Sequence, residues 1–152
     1  RVFTATSEVL YPFEQGQMVG VVRFRRRNSD FRDQQVSRGY YTLRYGQQPT
    51  DGNHEGTSPT RDFLLMTRAE KDQLIANQDV KQLSVDSAES VESGHPALWC
   101  LKRLDDRPGE IPAMTHDDDK ELWILSLTVS VDRAGKPANL PIDIVVVGHA
   151  AE

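Results

Sequence analysis

The chain lacks the features of membrane-spanning and disulfide-stabilised proteins. Its 152 residues include one cysteine, Cys100, so no disulfide can form within the chain. No run approaches the roughly 18 consecutive apolar residues typical of a membrane-spanning helix. With 38% hydrophobic and 27% charged residues, the composition is typical of a soluble globular protein. The length suits a single domain over residues 1–152 with a sizeable core.

Local signatures of catalysis are also missing. No G-x-S-x-G motif is present, so the sequence offers no serine nucleophile elbow. Cys100 lies between Trp99 and Leu101 in an apolar run, where a buried, unreactive thiol is the usual finding. We therefore expect no catalytic residue. A sugar-processing enzyme stays open as a weaker alternative, because its paired carboxylates are placed by the fold and not by sequence spacing.

The overall charge disfavours nucleic acid as a partner. The net charge is −5 and the isoelectric point is near 5.4, which argues against nonspecific binding to nucleic acid or to an anionic membrane. One local exception is Arg23–Arg27, "RFRRR", whose arginines could meet phosphate or carboxylate. The simpler interpretation is a solvated strand end that lies near Asp30 and Asp33.

The hydrophobic pattern predicts mostly strands. In "GYYTLRY", Tyr41, Leu43 and Tyr45 alternate with Tyr40, Thr42 and Arg44, and we expect the second set on a half-solvated face. Valine-rich or apolar runs predict further strands at 18–24, 62–66, 97–104, 121–131 and 142–148. Residues 132–141 are rich in turn formers and predict a connection between the last two strands.

One region departs from the strand pattern. Thr67 and Glu70 have capping-box spacing, and Leu74 with Ile75 fits one face of a short helix. Residues 79–94 extend that helix or form a loop rich in serine and acidic residues. Many short strands and one helical insertion around 67–92 predict an all-β fold, an antiparallel β-sandwich of jelly-roll or immunoglobulin-like type, with a barrel as the alternative.

The loop from Asp51 to Asp62 is the first candidate site. Its order nearly matches the calcium-loop pattern D-x-[DN]-x-[DN]-G-x5-E. The candidate oxygen ligands are Asp51, Asn53, Glu55 and Asp62. Three features argue against calcium: the glutamate at position five, the short closing aspartate and the strand-like flanks. A solvated turn is therefore the competing interpretation.

A transition-metal ion is a second possibility for the same region. His54 and His116 with a neighbouring carboxylate would be its ligands. However, none of the four histidines has a partner at the local spacing of zinc sites; they are His54, His95, His116 and His149. Our expectation is no bound cofactor, with a calcium or transition-metal ion as the alternative.

Three segments of this loop region resemble a family of uncharacterised, exported bacterial proteins. The shared pattern is G-x-Y-T-L-R-Y, then Q-P-x-D-G-N-H, then P-x-R-D-F-L-L, which falls here within residues 39–65. The resemblance implies one domain and a periplasmic or secreted location, and it lends no activity and no catalytic residue. The chain starts at Arg1 and not at methionine, which fits a removed signal peptide or a trimmed chain.

These observations favour a ligand-binding or structural interaction module over an enzyme. The candidate ligand-binding residues are Tyr40 and Arg44 on one strand face, with His54 and Arg61 near the loop. The expected partner is a protein or a carbohydrate, since polar-tipped aromatic rings serve at binding surfaces. The simpler interpretation places Trp99 and Trp123 in the core and the tyrosines at its rim. A metal-binding protein is the alternative function.

Overall fold

A computed structural model describes residues 3–6, 9–48 and 60–148. Within these ranges strands dominate, together with one 3₁₀ helix (Ala69–Lys71) and one α-helix, α1 (Val80–Ser90). The strands are β1 (Met18–Phe24), β2 (Asn28–Ser29), β3 (Gln35–Val36), β4 (Gly39–Gln47), β5 (Asp62–Arg68), β6 (Ala97–Lys102), β7 (Ala113–Asp117), β8 (Leu122–Arg133) and β9 (Lys136–Val147).

Seven of the strands form one antiparallel sheet in the order β1-β4-β5-β6-β9-β8-β7, and β2 pairs with β3 in a small second sheet. The predicted all-β antiparallel fold with a short helical insertion is therefore confirmed. No helix in the described part of the chain has the length and apolar character needed to cross a membrane.

The main core lies on one face of the sheet. The period-two alternation of β4 directs Tyr41, Leu43 and Tyr45 into it, and each is less than 10% exposed. Leu64 and Met66 of β5 face Trp99 and Ala97 of β6 across the ladder on the same side. Apolar residues from β1, β8 and β9 and from the segment before β1 complete this core; they include Val22, Val129, Ile142, Ile144, Tyr11 and Phe13.

A smaller core lies where the β2–β3 hairpin folds back onto the large sheet. Phe31, in the turn of that hairpin, packs with Cys100, Ile124 and Val145. The Phe31 backbone N–H donates to the carbonyl of Leu98 at 2.9 Å, which extends the hydrogen bonding at the edge of β6. The residues between β1 and β4 are thus folded against the sheet.

Two sequence predictions were wrong about local structure. Residues 132–141 are not a loop, because β8 and β9 pair as far as Arg133 and Lys136. The chain reverses at Ala134 and Gly135, whose φ angles of 53° and 76° suit a tight hairpin turn. Thr67 does not cap a helix, because it pairs with Thr42 inside the β4–β5 ladder.

The helical insertion begins later than its sequence pattern indicates. The helix α1 starts at Val80, while Leu74 and Ile75 precede it and are 63% and 88% exposed. The buried side of α1 carries Leu83 and Ser87 against the ends of β5 and β6. The Ser87 hydroxyl donates to the Met66 carbonyl and accepts from the Ala97 N–H at 2.9 Å, which fixes the helix to both strands.

Candidate functional site

The structure corrects the predicted environment of Arg44. We expected Arg44 on a half-solvated strand face. Arg44 is instead fully buried, because residues 72–78 cross that face of β4. Its Nε and Nη2 donate to the Asp72 carboxylate at 2.7 and 2.9 Å. Its remaining N–H groups donate to the carbonyls of Gly16, Ala76 and Leu74. The guanidinium therefore binds its own chain and does not face a ligand from solvent.

The carboxylate of Asp72 is stabilised in its charged form. Burial alone would raise its pKa, but hydrogen bonds from Arg44 and from the Thr42 hydroxyl outweigh burial and hold the pKa below its ordinary value. The Thr42 Oγ1 lies 2.6 Å from Asp72 Oδ2. Because every donor of Arg44 has an acceptor, the pair is satisfied inside the protein.

Tyr40 has the exposed position that the sequence predicted. Its ring is 53% exposed, and the Cζ atom of Arg23 lies 5.5 Å from the ring centroid. Arg23 and Tyr40 are direct partners across the β1–β4 ladder. A guanidinium above a tyrosine ring is a favourable cation–π arrangement, so the two side chains form one polar and aromatic surface.

Tyr40 lies across the ladder from the start of a segment of concentrated positive charge, residues 23–38, here called the arginine-rich extension. This segment contains six arginines and two aspartates, a net charge of +4 on a chain whose total is −5. All six arginines are exposed, and within the described ranges none of them forms an ion pair. They are Arg23, Arg25, Arg26, Arg27, Arg32 and Arg38.

The one buried aspartate of the extension serves the fold. Asp30 is 3% exposed, and its carboxylate accepts hydrogen bonds from the backbone N–H groups of Arg32, Gln34 and Leu98. These bonds hold the β2–β3 turn against β6. The arginine side chains therefore lie on a fixed backbone, and Asp30 does not pair with them.

The strand that begins the extension is an edge of the large sheet. β1 pairs on one side with β4, and no backbone hydrogen bond joins its other side to any described residue. Val21 on this strand is 61% exposed. An edge strand presents a row of backbone donors and acceptors to which an extended segment of another chain can pair.

Most of the predicted calcium loop lies outside the described residues, namely Asp51, Asn53, His54 and Glu55. Its closing residue, Asp62, is fully buried in the structure. The Asp62 carboxylate accepts hydrogen bonds from the Tyr45 hydroxyl and from the Leu10 N–H. Arg61, a candidate ligand-binding residue, donates Nε and Nη2 to the Gln48 carbonyl at 3.2 and 3.0 Å.

His116, the other predicted metal ligand, lies on β7 at the opposite edge of the sheet. Its ring stacks on Trp123 with centroids 4.4 Å apart, and its Nδ1 lies 2.7 Å from Asp118 Oδ1. Trp123 is 41% exposed, so the expectation that it lies in the core was wrong, whereas Trp99 is buried. No group of three potential metal ligands occurs among the residues whose positions are described.

Sequence reasoning singled out Arg23–Arg27 but missed Arg32 and Arg38 as parts of the same surface. The sequence feature that indicates a longer basic segment is the excess of arginine over acidic residues across the whole of residues 23–38. The β1–β4 ladder ends at Phe24 and Gly39 and so brings Arg25 and Arg38 to neighbouring positions, whereas Arg32 lies in the turn between β2 and β3. No family model, no curated protein and no solved structure shows a significant match to this chain.

Proposed function

We propose that this protein is a binding module, without catalytic activity of its own, for a partner protein that presents an extended acidic segment. The site is the arginine-rich extension together with Tyr40. One observation carries the proposal: six exposed arginines lie close together in the sequence, and none has an ion-pair partner among the described residues. Like charges at close range repel, and an acidic partner would relieve that repulsion.

The chemistry of the site favours carboxylates. A guanidinium offers a planar pair of N–H donors that matches the two oxygens of a carboxylate. Tyr40 and Val21, both more than half exposed, add an apolar contact beside the charges. Aromatic and arginine side chains are the residue types that contribute most to protein interfaces.

The edge strand β1 favours a protein over a polysaccharide or a nucleic acid. An extended peptide can pair its backbone with β1 while its alternate side chains reach Arg23 and Arg25. A sugar or nucleotide chain has no matching ladder of backbone donors and acceptors. The net charge of −5 further disfavours a long polyanion, which would meet repulsion away from the extension.

Fluorescence anisotropy with a labelled peptide tests the proposal. The probe is an eight-residue peptide of alternating glutamate and threonine, and its control is the lysine analogue. We expect the acidic peptide alone to bind, with an affinity that falls as salt concentration rises. The triple variant Arg25→Gln/Arg26→Gln/Arg27→Gln should weaken binding about tenfold to a hundredfold, because exposed ion pairs contribute up to about 1 kcal/mol each.

A charge-matched variant separates a site from general electrostatics. Lys81, Lys120 and Lys136 are exposed and lie outside the extension, so their triple substitution by glutamine changes the net charge equally. The proposal would be overturned if both triple variants lost the same amount of affinity for the acidic peptide, or if the unmodified protein did not bind that peptide. Tighter binding of a heparin fragment or an oligothymidylate than of the peptide would assign the surface to polysaccharide or nucleic acid instead.

A further inference from the structure

A cavity of about 670 Å³ is lined by residues that all lie outside the arginine-rich extension. One wall is the chain before β1, residues 3–5 and 10–13, and the other is the distal half of the β8–β9 hairpin. Sites for small molecules measure roughly 300–1,000 Å³, so the cavity has the size of a ligand site. Nothing in the proposed function uses it.

The lining of the cavity combines apolar side chains with polar and charged ones, among which Arg103, Arg107 and Arg133 outnumber the one carboxylate, Asp132. Leu10 and Phe13 line it from the N-terminal side, and Phe13 is held by ring contacts with Tyr11 and Tyr45 at 6.0 and 5.5 Å. From the hairpin, Val131 and Ala138 are direct cross-strand partners and so lie on one face of the ladder. Together these side chains form two facing surfaces that suit an apolar chain or ring.

One end of the cavity carries positive charge. Arg103 and Arg107, in the connection that follows β6, both line it, and both act electrostatically on the Tyr11 hydroxyl, lowering a pKa that burial raises more strongly. Arg107 pairs with the buried Asp143 through both terminal nitrogens, at 3.3 Å from Nη1 to Oδ2 and 3.3 Å from Nη2 to Oδ1. Arg103 is exposed and has no ion-pair partner in the part of the chain that the structure describes.

The carboxylate of Asp143 is already shared among several donors. Its Oδ1 accepts from the Ser126 hydroxyl at 2.7 Å, and its Oδ2 accepts from the Leu104 N–H at 2.9 Å. The guanidinium of Arg107 therefore shares the Asp143 carboxylate with two other donors. A second anion at this end would pair with the exposed guanidinium of Arg103, with the positive charge of Arg107 beside it.

We infer that the cavity binds a small amphipathic carboxylate, with its apolar chain or ring between Phe13 and Val131 and its carboxylate at Arg103 and Arg107. The inference is independent of the proposed function, since it uses a different surface and different residues. The apolar walls supply affinity by excluding water, and the arginine pair supplies the preference for an anion.

Isothermal titration calorimetry with decanoate tests the inference. The matched probe is decyltrimethylammonium, which has the same apolar chain and the opposite charge. We expect decanoate to bind and the cationic probe to bind at least about tenfold more weakly, as a charge-assisted hydrogen bond of roughly 1.5–3 kcal/mol implies. Arg103→Gln, at an exposed position, should weaken the affinity for decanoate by a similar factor.

Two further variants locate the ligand. Ala138→Trp fills the space between the walls and should abolish binding, and Ala138→Leu serves if the tryptophan variant does not fold, as judged by circular dichroism. The triple arginine variant at positions 25–27 should leave decanoate binding unchanged, so the two proposals can fail separately. Absence of decanoate binding, equal binding of both probes, or full binding to the cavity-filling variants would overturn the inference.

Discussion

The side chains of Arg44 and Asp72 form a buried bidentate ion pair that joins β4 to the segment before α1. The Nε–Oδ2 distance is 2.7 Å and the Nη2–Oδ1 distance is 2.9 Å, and the two side chains are 1% and 4% exposed. Since the same guanidinium also binds the Gly16, Leu74 and Ala76 carbonyls, one residue of β4 holds two separate chain segments. An arginine predicted to bind a ligand instead organises the fold.

Replacing Arg44 with methionine should destabilise the protein by about 3–5 kcal/mol, because Asp72 would stay buried without its partner. Urea unfolding followed by tryptophan fluorescence measures the change. The double variant Arg44→Met/Asp72→Leu, which removes both charges, should lose less than the sum of the two single variants. If the losses of unfolding free energy were additive, the interaction between the two side chains would contribute nothing to stability.

The Arg44–Asp72 pair should also make stability depend on pH in the acid range. The folded-state pKa of Asp72 lies below its unfolded value, so its contribution is present above the unfolded pKa of about 3.9 and is lost as pH falls through the folded-state pKa. In Asp72→Asn this part of the acid sensitivity should vanish. The measurement is the urea midpoint of both proteins between pH 6 and pH 3, and identical pH profiles would contradict the assignment.

Gly16→Ala should destabilise the protein far more than Gly135→Ala. Both glycines have a positive φ, 77° and 76°, so the backbone strain of about 1–3 kcal/mol is comparable. A Cβ at Gly16 would lie 1.8 Å from the Gln78 carbonyl oxygen, whereas a Cβ at Gly135 would meet nothing within 4 Å. The difference between the two unfolding free energies measures the clash, and equal values would show that Gln78 moves away easily.

The thiol of Cys100 should be protected in the native protein. Cys100 is fully buried in β6, so Ellman's reagent should react slowly without denaturant and release one equivalent in urea. Ser130→Cys places a second thiol at an exposed position of β8, which should react at once while Cys100 stays protected. Rapid reaction of the single thiol in the unmodified protein would mean that this part of β6 opens readily.

Calcium should leave the melting temperature unchanged relative to a chelator. The Asp62 carboxylate, the expected closing ligand, already accepts hydrogen bonds from Tyr45 and Leu10. An ion at about 100 times its dissociation constant would add roughly 2.7 kcal/mol, a shift of roughly 5–10 °C for a chain of this size. A shift of that size, abolished by Asp51→Ala, would instead establish the loop as a metal site, and zinc and copper serve as parallel tests for His54 and His116.

The sequence by itself determined the type of fold and most of its strands. Alternation in β4 identified Tyr41, Leu43 and Tyr45 as one face, and this follows from the two-residue period of any strand. The single cysteine excluded an internal disulfide, and the region 67–92 was recognised as the helical insertion. These properties depend on residues that are neighbours along the chain, so local patterns were enough to predict them.

The tertiary structure alone decided which faces are covered and which charges meet. Arg44 is buried by a segment that begins 28 residues later, and strand periodicity carries no information about what crosses a strand's other face. The end of the β1–β4 ladder brings Arg25 and Arg38 together, and the cavity arises between the first described residues and the last hairpin. Burial, unpaired charge and cavities depend on contacts between distant residues, and those contacts exist only after the sheet has formed.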